Sequence, residues 1–253
     1  MQVSLSDSEQ RRYKKHIIMP GIGMEGQLKI KNSSVLVVGA GGLGCPVLQY
    51  LAAAGTGKIG IMDHDLVTET NLQRQILYGA SDIGKLKTII SKQSLNKLNN
   101  NVDIQILNIR FNKTNALKVL NDYDIIVDAS DNYETRYLIN DACVITGKPM
   151  VHGAIYHFEG QVSVFNYNKG PTYRCYNPGT GEDPARPADS ETGMLNVLPG
   201  VTGTYMATEV LKIILQTGNI LSGEVLIFNI LTNSHYLYKV TLNPDNRTIT
   251  DFK

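Results

Sequence analysis

Short apolar runs alternate along the chain with stretches whose apolar residues recur every three to four positions, a pattern of strands and amphipathic helices. Ser6 and Glu9, at capping-box spacing, predict a helix from about Asp7 that carries RRYKKH. Gly21 and Gly23 break the chain before a short amphipathic segment over 25–30. The first strand, over 35–38, is apolar on both faces, as a central parallel strand covered by helices should be. A helix over 43–54 follows, with Leu43, Val47, Leu51 and Ala54 on one side, Pro46 tolerated in the first turn and Gly55 and Gly57 at its end. A second strand precedes DHD. Beyond Gly84 the pattern predicts a helix to about Leu98, a strand over 104–107, a helix over 114–120, a strand over 124–127 and a helix over 133–146 stopped by Gly147 and Pro149.

Two strands over 150–156 and 161–167 are joined through FEG. Residues 168–193 then change texture, with four prolines and four glycines in 26 residues, and are expected to be a structureless lid, partner-binding loop or disordered segment. A helix over 200–216 points Met206, Val210, Ile213 and Ile214 to the core and stops at Gly218. Two alternating strands end the chain, antiparallel and half exposed. The expected fold class is α/β: one Rossmann-like nucleotide-binding domain over 1–253, its sheet parallel first and antiparallel in the C-terminal part. The nucleotide-binding half spans about 1–150 and the second half about 151–253.

The chemistry is concentrated around VLVVGAGGLG and IGIMDHD, which together read as strand, glycine turn, helix, strand and acidic residue. Gly39 permits the tight turn, Gly41 lets phosphates approach the backbone, and Gly44 lets helix pack on strand. Gly42 lies within the same cradle, and Asp63 can accept hydrogen bonds from ribose hydroxyls. These residues nominate a nucleotide without saying which. The stretch that follows contains Asn71, Gln73, Arg74, Gln75, Lys85 and Lys87. A dinucleotide held by backbone amides has no obvious need for such cations. A nucleoside triphosphate does, because Arg grips phosphate oxygens bidentately and Lys follows charge onto the leaving group. The cations therefore tilt the nucleotide towards ATP. Further on, DASDN reaches the carboxyl edge of the sheet. There Asp131 can hold magnesium against phosphates, or Asp131 or Asn132 can simply cap the next helix. Arg136, one turn into that helix, faces either the pocket or solvent.

Formal charge is +1, so no basic field argues for nucleic acid or membrane. No apolar run approaches the roughly 20 residues of a membrane span, and a cytoplasmic location is expected. Cys45, Cys143 and Cys175 are far apart and have no CxxC spacing. Cys45 is expected to be a small buried filler. His152 and His157, five apart, would face opposite sides of a strand, which rejects a two-histidine metal site.

Taken in order, GAGGLGC, IMDHD, TNLQRQ, the lysine of GKLK, DASDN with Arg136, FEGQVSVF, YRC and GMLNVLPGVTG resemble the bacterial MoeB/ThiF proteins, relatives of the ubiquitin-activating enzymes. The resemblance runs over nearly the whole chain. It implies ATP-dependent adenylation of the C-terminal glycine of a ubiquitin-fold sulfur carrier of the MoaD or ThiS kind. Gly41 would lie at the nucleotide and Asp63 on the ribose, with Asn71, Arg74 and Lys87 on the phosphates and Asp131 on magnesium. It further implies a homodimer in which a cation of one subunit's N-terminal helix reaches the other's phosphates. That position is Lys15 here, where family members commonly carry Arg, so the charge stays and the bidentate fork is lost.

Two departures from the family pattern stand out. Many relatives bind zinc through two CxxC pairs. Here the first pair is reduced to Thr172 and Cys175 and the second region reads NPDNR, so no zinc is expected. Relatives that link covalently to their carrier use a cysteine at the position matching Asp189, so activation is expected to stop at the acyl-adenylate. Three other readings stay open. One is a relative acting on a peptide or tRNA acceptor. Another is a nicotinamide-dependent dehydrogenase, which would leave Arg74, Lys87 and Asp131 without a reason. The third is a non-catalytic ATP- or carrier-binding scaffold.

Overall fold

The computed structural model describes residues 4–179 and 193–252. Its framework is one eight-stranded sheet in the order β3-β2-β1-β4-β5-β6-β7-β8. The strands are β1 (Ser34–Val38), β2 (Lys58–Met62), β3 (Asp103–Leu107), β4 (Ile125–Asp128), β5 (Met150–Tyr156), β6 (Glu159–Phe165), β7 (Glu224–Asn229) and β8 (Ser234–Lys239). The strands from β3 to β5 pair in parallel, and β6, β7 and β8 continue antiparallel. This is the mixed sheet the strand pattern predicts.

Alternation within β1 divides the core. Val35 and Val37 pack on one face with α4 (Gly44–Ala54), α5 (Lys87–Leu98) and α9 (Leu198–Leu215). Leu36 and Val38 pack on the other with α6 (Ala116–Leu120), α7 (Tyr133–Thr146) and α8 (Tyr173–Tyr176). Because successive side chains of a strand point to opposite faces, an all-apolar strand such as β1 requires both layers. Helix α4 ends where Gly55 takes φ 85°, and α7 where Gly147 takes φ 68°, the left-handed conformation that glycine adopts without Cβ strain.

Five expectations need correction. The N-terminal helix does not run through RRYKKH: α1 (Asp7–Arg12), capped reciprocally by Ser6 and Glu9, stops at buried Tyr13, and α2 (Lys14–Ile17) restarts beyond it. The amphipathic segment after Gly23 is α3 (Gly23–Asn32). Helix α9 ends at Gln216, itself left-handed at φ 53°, before Gly218 is reached. The segment expected to be structureless contains α8, folded against α7 by the Arg174–Asp141 ion pair at 2.7 Å and by Tyr173 N donating to Asn140 Oδ1 at 2.7 Å. Strand β8, the edge strand of the sheet, is more exposed than half. No described helix is long and apolar enough to cross a membrane.

Candidate active site

The carboxyl ends of β1, β2 and β4 converge on the glycine turn. Gly39 holds φ 100°, and a β-carbon there would lie 2.5 Å from the Ala129 carbonyl oxygen beyond β4. A β-carbon on Gly44 would collide with the Gly39 carbonyl. The third glycine is thus required by the turn itself rather than by helix packing on a strand. Gly41 differs: a β-carbon there would meet only Gln75 Nε2, at 3.6 Å. Gly42 packs toward Pro199 of α9 and the Arg74 side chain. Helix α4 opens directly from this turn with no side-chain cap; the Cys45 amide is spent on the Gly41 carbonyl and Pro46 carries no N–H, so an anion here would draw on amides of the glycine turn itself.

Asp63 closes one side. Its Oδ2 accepts the Ala40 amide and its Oδ1 the Asp65 amide, both at 2.8 Å. Those bonds fix the carboxylate beside the turn and leave further lone pairs for hydroxyl donors. Lys87 begins α5 and is buried, yet its ammonium reaches Asp65 Oδ2 at 2.8 Å. A buried ammonium needs such a partner, and Asp65, half exposed, can share it with an incoming anion. Asp63, His64 and Asp65 also bring three potential ligand atoms within 4.8 Å of one another, but both carboxylates are engaged by these contacts.

A short 3-10 helix (Glu69–Asn71) carries the next group. The Asn71 carbonyl accepts the amides of Arg74 (3.0 Å) and Gln75 (2.9 Å), which turns both toward the glycine loop. Arg74 Nη1 donates to the Thr70 carbonyl at 3.0 Å, which leaves the rest of its donor fork for other acceptors. The Asn71 side chain closes its own turn by accepting the Thr68 amide.

At the end of β4, the competing roles of Asp131 and Asn132 separate. Asn132 Oδ1 accepts the Thr135 amide at 2.9 Å and caps α7. Asp131 stays exposed and, among the described residues, accepts from Asn132 Nδ2 at 3.2 Å. Arg136 faces inward: it is buried and donates to the Ser130 carbonyl. Sequence reasoning missed Asp128 and His152 as a pair. His152 Nδ1 donates to Asp128 Oδ2 at 2.7 Å, and Ser130 donates to the same carboxylate from its amide and hydroxyl. Burial pushes the Asp128 carboxyl up; the hydrogen bond and charge of His152, the Arg136 charge and the Ser130 bond outweigh it and hold the group below the usual carboxylate range. The pair fixes the loop that presents Asp131. Its only sequence signals were a carboxylate ending β4 and a histidine inside the otherwise apolar start of β5.

Lys15 lies exposed on α2. Asp189 falls outside the described residues. Burial pushes the Cys45 thiol up to about 12 and the Cys143 thiol well above its ordinary value, as fits a filler role for Cys45. Cys175 is different. Partial burial raises it, but donors from Thr172, Asn243 and Asn246 surround its Sγ and bring it below the ordinary thiol value. Thr172 and Cys175 here meet the Asn243–Arg247 stretch, the two regions where the family resemblance implies zinc ligands in many relatives. One thiol with a hydroxyl and two amides does not fit a structural zinc site, which takes four Cys or His ligands.

The ThiF family model matches residues 13–248. The chain belongs to the ThiF family. Among curated ThiF-type relatives, a sulfur carrier protein adenylyltransferase of Thermus thermophilus is 46% identical over 238 residues, covering 92% of this chain and 88% of that protein. A probable molybdopterin-synthase adenylyltransferase of Porphyra purpurea is 48% identical over 234 residues, covering 92% of this chain. The matched region spans 61% of the Porphyra protein and about half of the adenylyltransferase and sulfurtransferase MOCS3 of Aedes aegypti. Among solved structures, Escherichia coli MccB with MccA-N7isoASN superposes with a TM-score of 0.82 at 21% identity, covering 97% of this chain and 75% of that one. That likeness establishes the ThiF-type fold of the sheet and its flanking helices.

Proposed function

We propose that this ThiF-family chain adenylates the C-terminal glycine carboxylate of a ubiquitin-fold sulfur carrier, using ATP. The observation that carries the reading is the convergence on one glycine turn of Asp63, Arg74 and the Asp65-paired Lys87, with Asp131 exposed at the neighbouring strand end. The extent of the match to the Thermus protein supports the carrier as acceptor.

A carboxylate is already ionised at pH 7 and needs no general base to attack the α-phosphorus. An oxygen–phosphorus bond forms to the glycine carboxylate as the bond to the β-phosphate bridging oxygen breaks, and pyrophosphate leaves with the electron pair. Asp63 orients the ribose. Gly39, Gly41, Gly42 and Gly44 let the phosphates rest on backbone amides, and Asn71 and Asn132 border the same cradle. Arg74 and Lys87 take up the charge that develops on the leaving group. Asp131, a hard oxygen donor in the open, fits magnesium, which binds through one or two carboxylates and phosphate oxygens and when bound supplies charge neutralisation between phosphates. The donor set at Cys175 supports a zinc-free member.

The acyl-adenylate is the end product, handed to a separate sulfur source: two of the three thiols are buried and protonated, and the position matching a family nucleophile is Asp189. The exposed β7–β8 ribbon receives the carrier's globular part. The protein acts as a homodimer. An apolar groove of about 810 Å³ between α4 and α9, lined by Tyr50, Ile76, Val197, Val201 and Tyr205 and reaching Arg74, offers a face for the second subunit, which would bring its Lys15 to the phosphates.

Pyrophosphate exchange into ATP tests the reading. Exchange is expected only when a ubiquitin-fold protein ending in Gly-Gly is added. Absence of exchange with carriers of the MoaD and ThiS kinds, despite ATP binding, would favour the scaffold.

A further inference from the structure

The peptide between Ala40 and Gly41, in the middle of the glycine turn, is anchored from within the core. Tyr78 is buried, and its hydroxyl donates to the Ala40 carbonyl at 2.7 Å. That spends the one phenol proton, so the Ser91 hydroxyl, 3.0 Å away and also buried, donates to Tyr78 in turn. Cys45 Sγ approaches the same carbonyl at 3.6 Å, a weaker donor. Burial pushes the Tyr78 phenol above its ordinary value, which keeps it protonated and a donor. The groups on either side are spent as well: the Ala40 amide on Asp63 Oδ2 at 2.8 Å and the Gly41 carbonyl on the Cys45 amide at 2.9 Å. The Gly41 amide is the exception. Gly41 is partly exposed, and its N–H has no acceptor among the described residues.

In a planar trans peptide the C=O and the N–H that follows it point in opposite directions, and the described chain has no cis bond. A carbonyl drawn into the core by Tyr78 therefore turns the Gly41 N–H out of it. Rotating this peptide changes ψ of Ala40 and φ of Gly41, and Gly41, without a β-carbon, accepts either sign of φ. Sterics at Gly41 thus restrain the rotation little, and the bond to Tyr78 sets it. A flipped peptide would show an anion the Ala40 carbonyl oxygen in place of a donor. Resting on the ATP reading above, we infer that Tyr78 is a positioning residue: through Ala40 it aims the Gly41 amide at the phosphates. Phe would fill the same space in the core, so the role belongs to the hydroxyl and not to the ring. A buried carbonyl also gains stability from any donor, and that purely structural role predicts a different outcome when the hydroxyl is removed.

The test uses the full chain, Tyr78→Phe and Ser91→Ala, with adenosine, AMP and MgATP binding measured by calorimetry and the ligand-free melting temperature recorded. Tyr78→Phe removes only the hydroxyl. It should weaken AMP and MgATP about tenfold or more, the range of a lost hydrogen bond to a charged group, while leaving adenosine unchanged. Ser91→Ala disturbs the same buried pair of hydroxyls but keeps the bond from Tyr78 to Ala40. It should bind all three ligands as the unaltered chain does, even where its melting temperature falls. Three results would overturn the inference: unchanged AMP and MgATP affinity in Tyr78→Phe, adenosine weakened there as much as AMP, or AMP weakened as much by Ser91→Ala as by Tyr78→Phe. Failure of the unaltered chain to bind MgATP would instead remove the nucleotide reading, and this inference with it.

Discussion

Lys87 shows how one residue serves both fold and chemistry. Its ammonium is buried and paired with Asp65, so the folded chain keeps a cation where water alone would not support one. In the proposed reaction that charge moves toward the phosphates. Lys87→Met should lower carrier-dependent pyrophosphate exchange about a hundredfold or more, in the range of losing one preorganised charge donor. Asp65→Asn should cost far less, since the ammonium remains; equal losses in exchange assays would count against a phosphate role for Lys87. The thiols give a second residue-scale prediction. Cys45 and Cys143 are buried with raised pKa and Cys175 is partly exposed with a lowered one. Iodoacetamide at pH 8 should label Cys175 alone in the folded chain and all three in denaturant, as counted by intact mass. Exchange activity should survive replacement of all three by serine, so long as the variant folds.

The glycine turn is a property of β1, α4 and the end of β4 together, and its glycines are not equivalent. Gly39→Ala forces a β-carbon into the Ala129 carbonyl at a left-handed φ and should cost about 1–3 kcal/mol or more of stability. Gly41→Ala meets no backbone, so denaturant melts should shift by no more than about 0.5 kcal/mol while MgATP affinity falls. The Asp128–His152 pair joins β4 to β5 and makes stability depend on pH. An unfolded Asp titrates near about 3.9, and the folded carboxyl lies lower, so protonation favours the unfolded chain. The contribution of Asp128 is complete above the unfolded value and is lost as pH falls through the folded one. Urea melts between about pH 2 and 6 should show an acid limb that Asp128→Asn flattens. Much of this level was legible in the sequence. Apolar runs and glycine stops fixed β1, α4 and α7 because those elements are buried on predictable faces. The break at Tyr13 and the turn Tyr173–Tyr176 were not, because each depends on a contact far along the chain: Tyr13 with Asn99, Arg174 with Asp141.

At the scale of the whole molecule, the single chain places Lys15 on an exposed helix while Arg74 and Lys87 stand at the glycine turn, and the apolar groove between α4 and α9 runs up to Arg74. A closed two-fold dimer formed through that groove puts the same face of both subunits in contact, so each site borrows from the other chain whatever lies across the axis. If Lys15 serves its partner's phosphates, Lys15→Ala and Arg74→Ala damage opposite halves of a composite site. Each homodimer then has two defective sites. A mixed dimer has one site with both residues missing and one with both present. Random pairing of equal amounts of the two variants makes half of the dimers mixed, each with one working site of two, so co-expression should restore about a quarter of the unaltered activity. If Lys15 acts within its own chain, or not at all, mixing restores nothing beyond the average of the two variants. Pyrophosphate exchange on the co-expressed pair decides between these cases, and mass under native conditions shows whether mixed dimers formed. A result at the average, with mixed dimers present, would remove the role of Lys15 at its partner's phosphates.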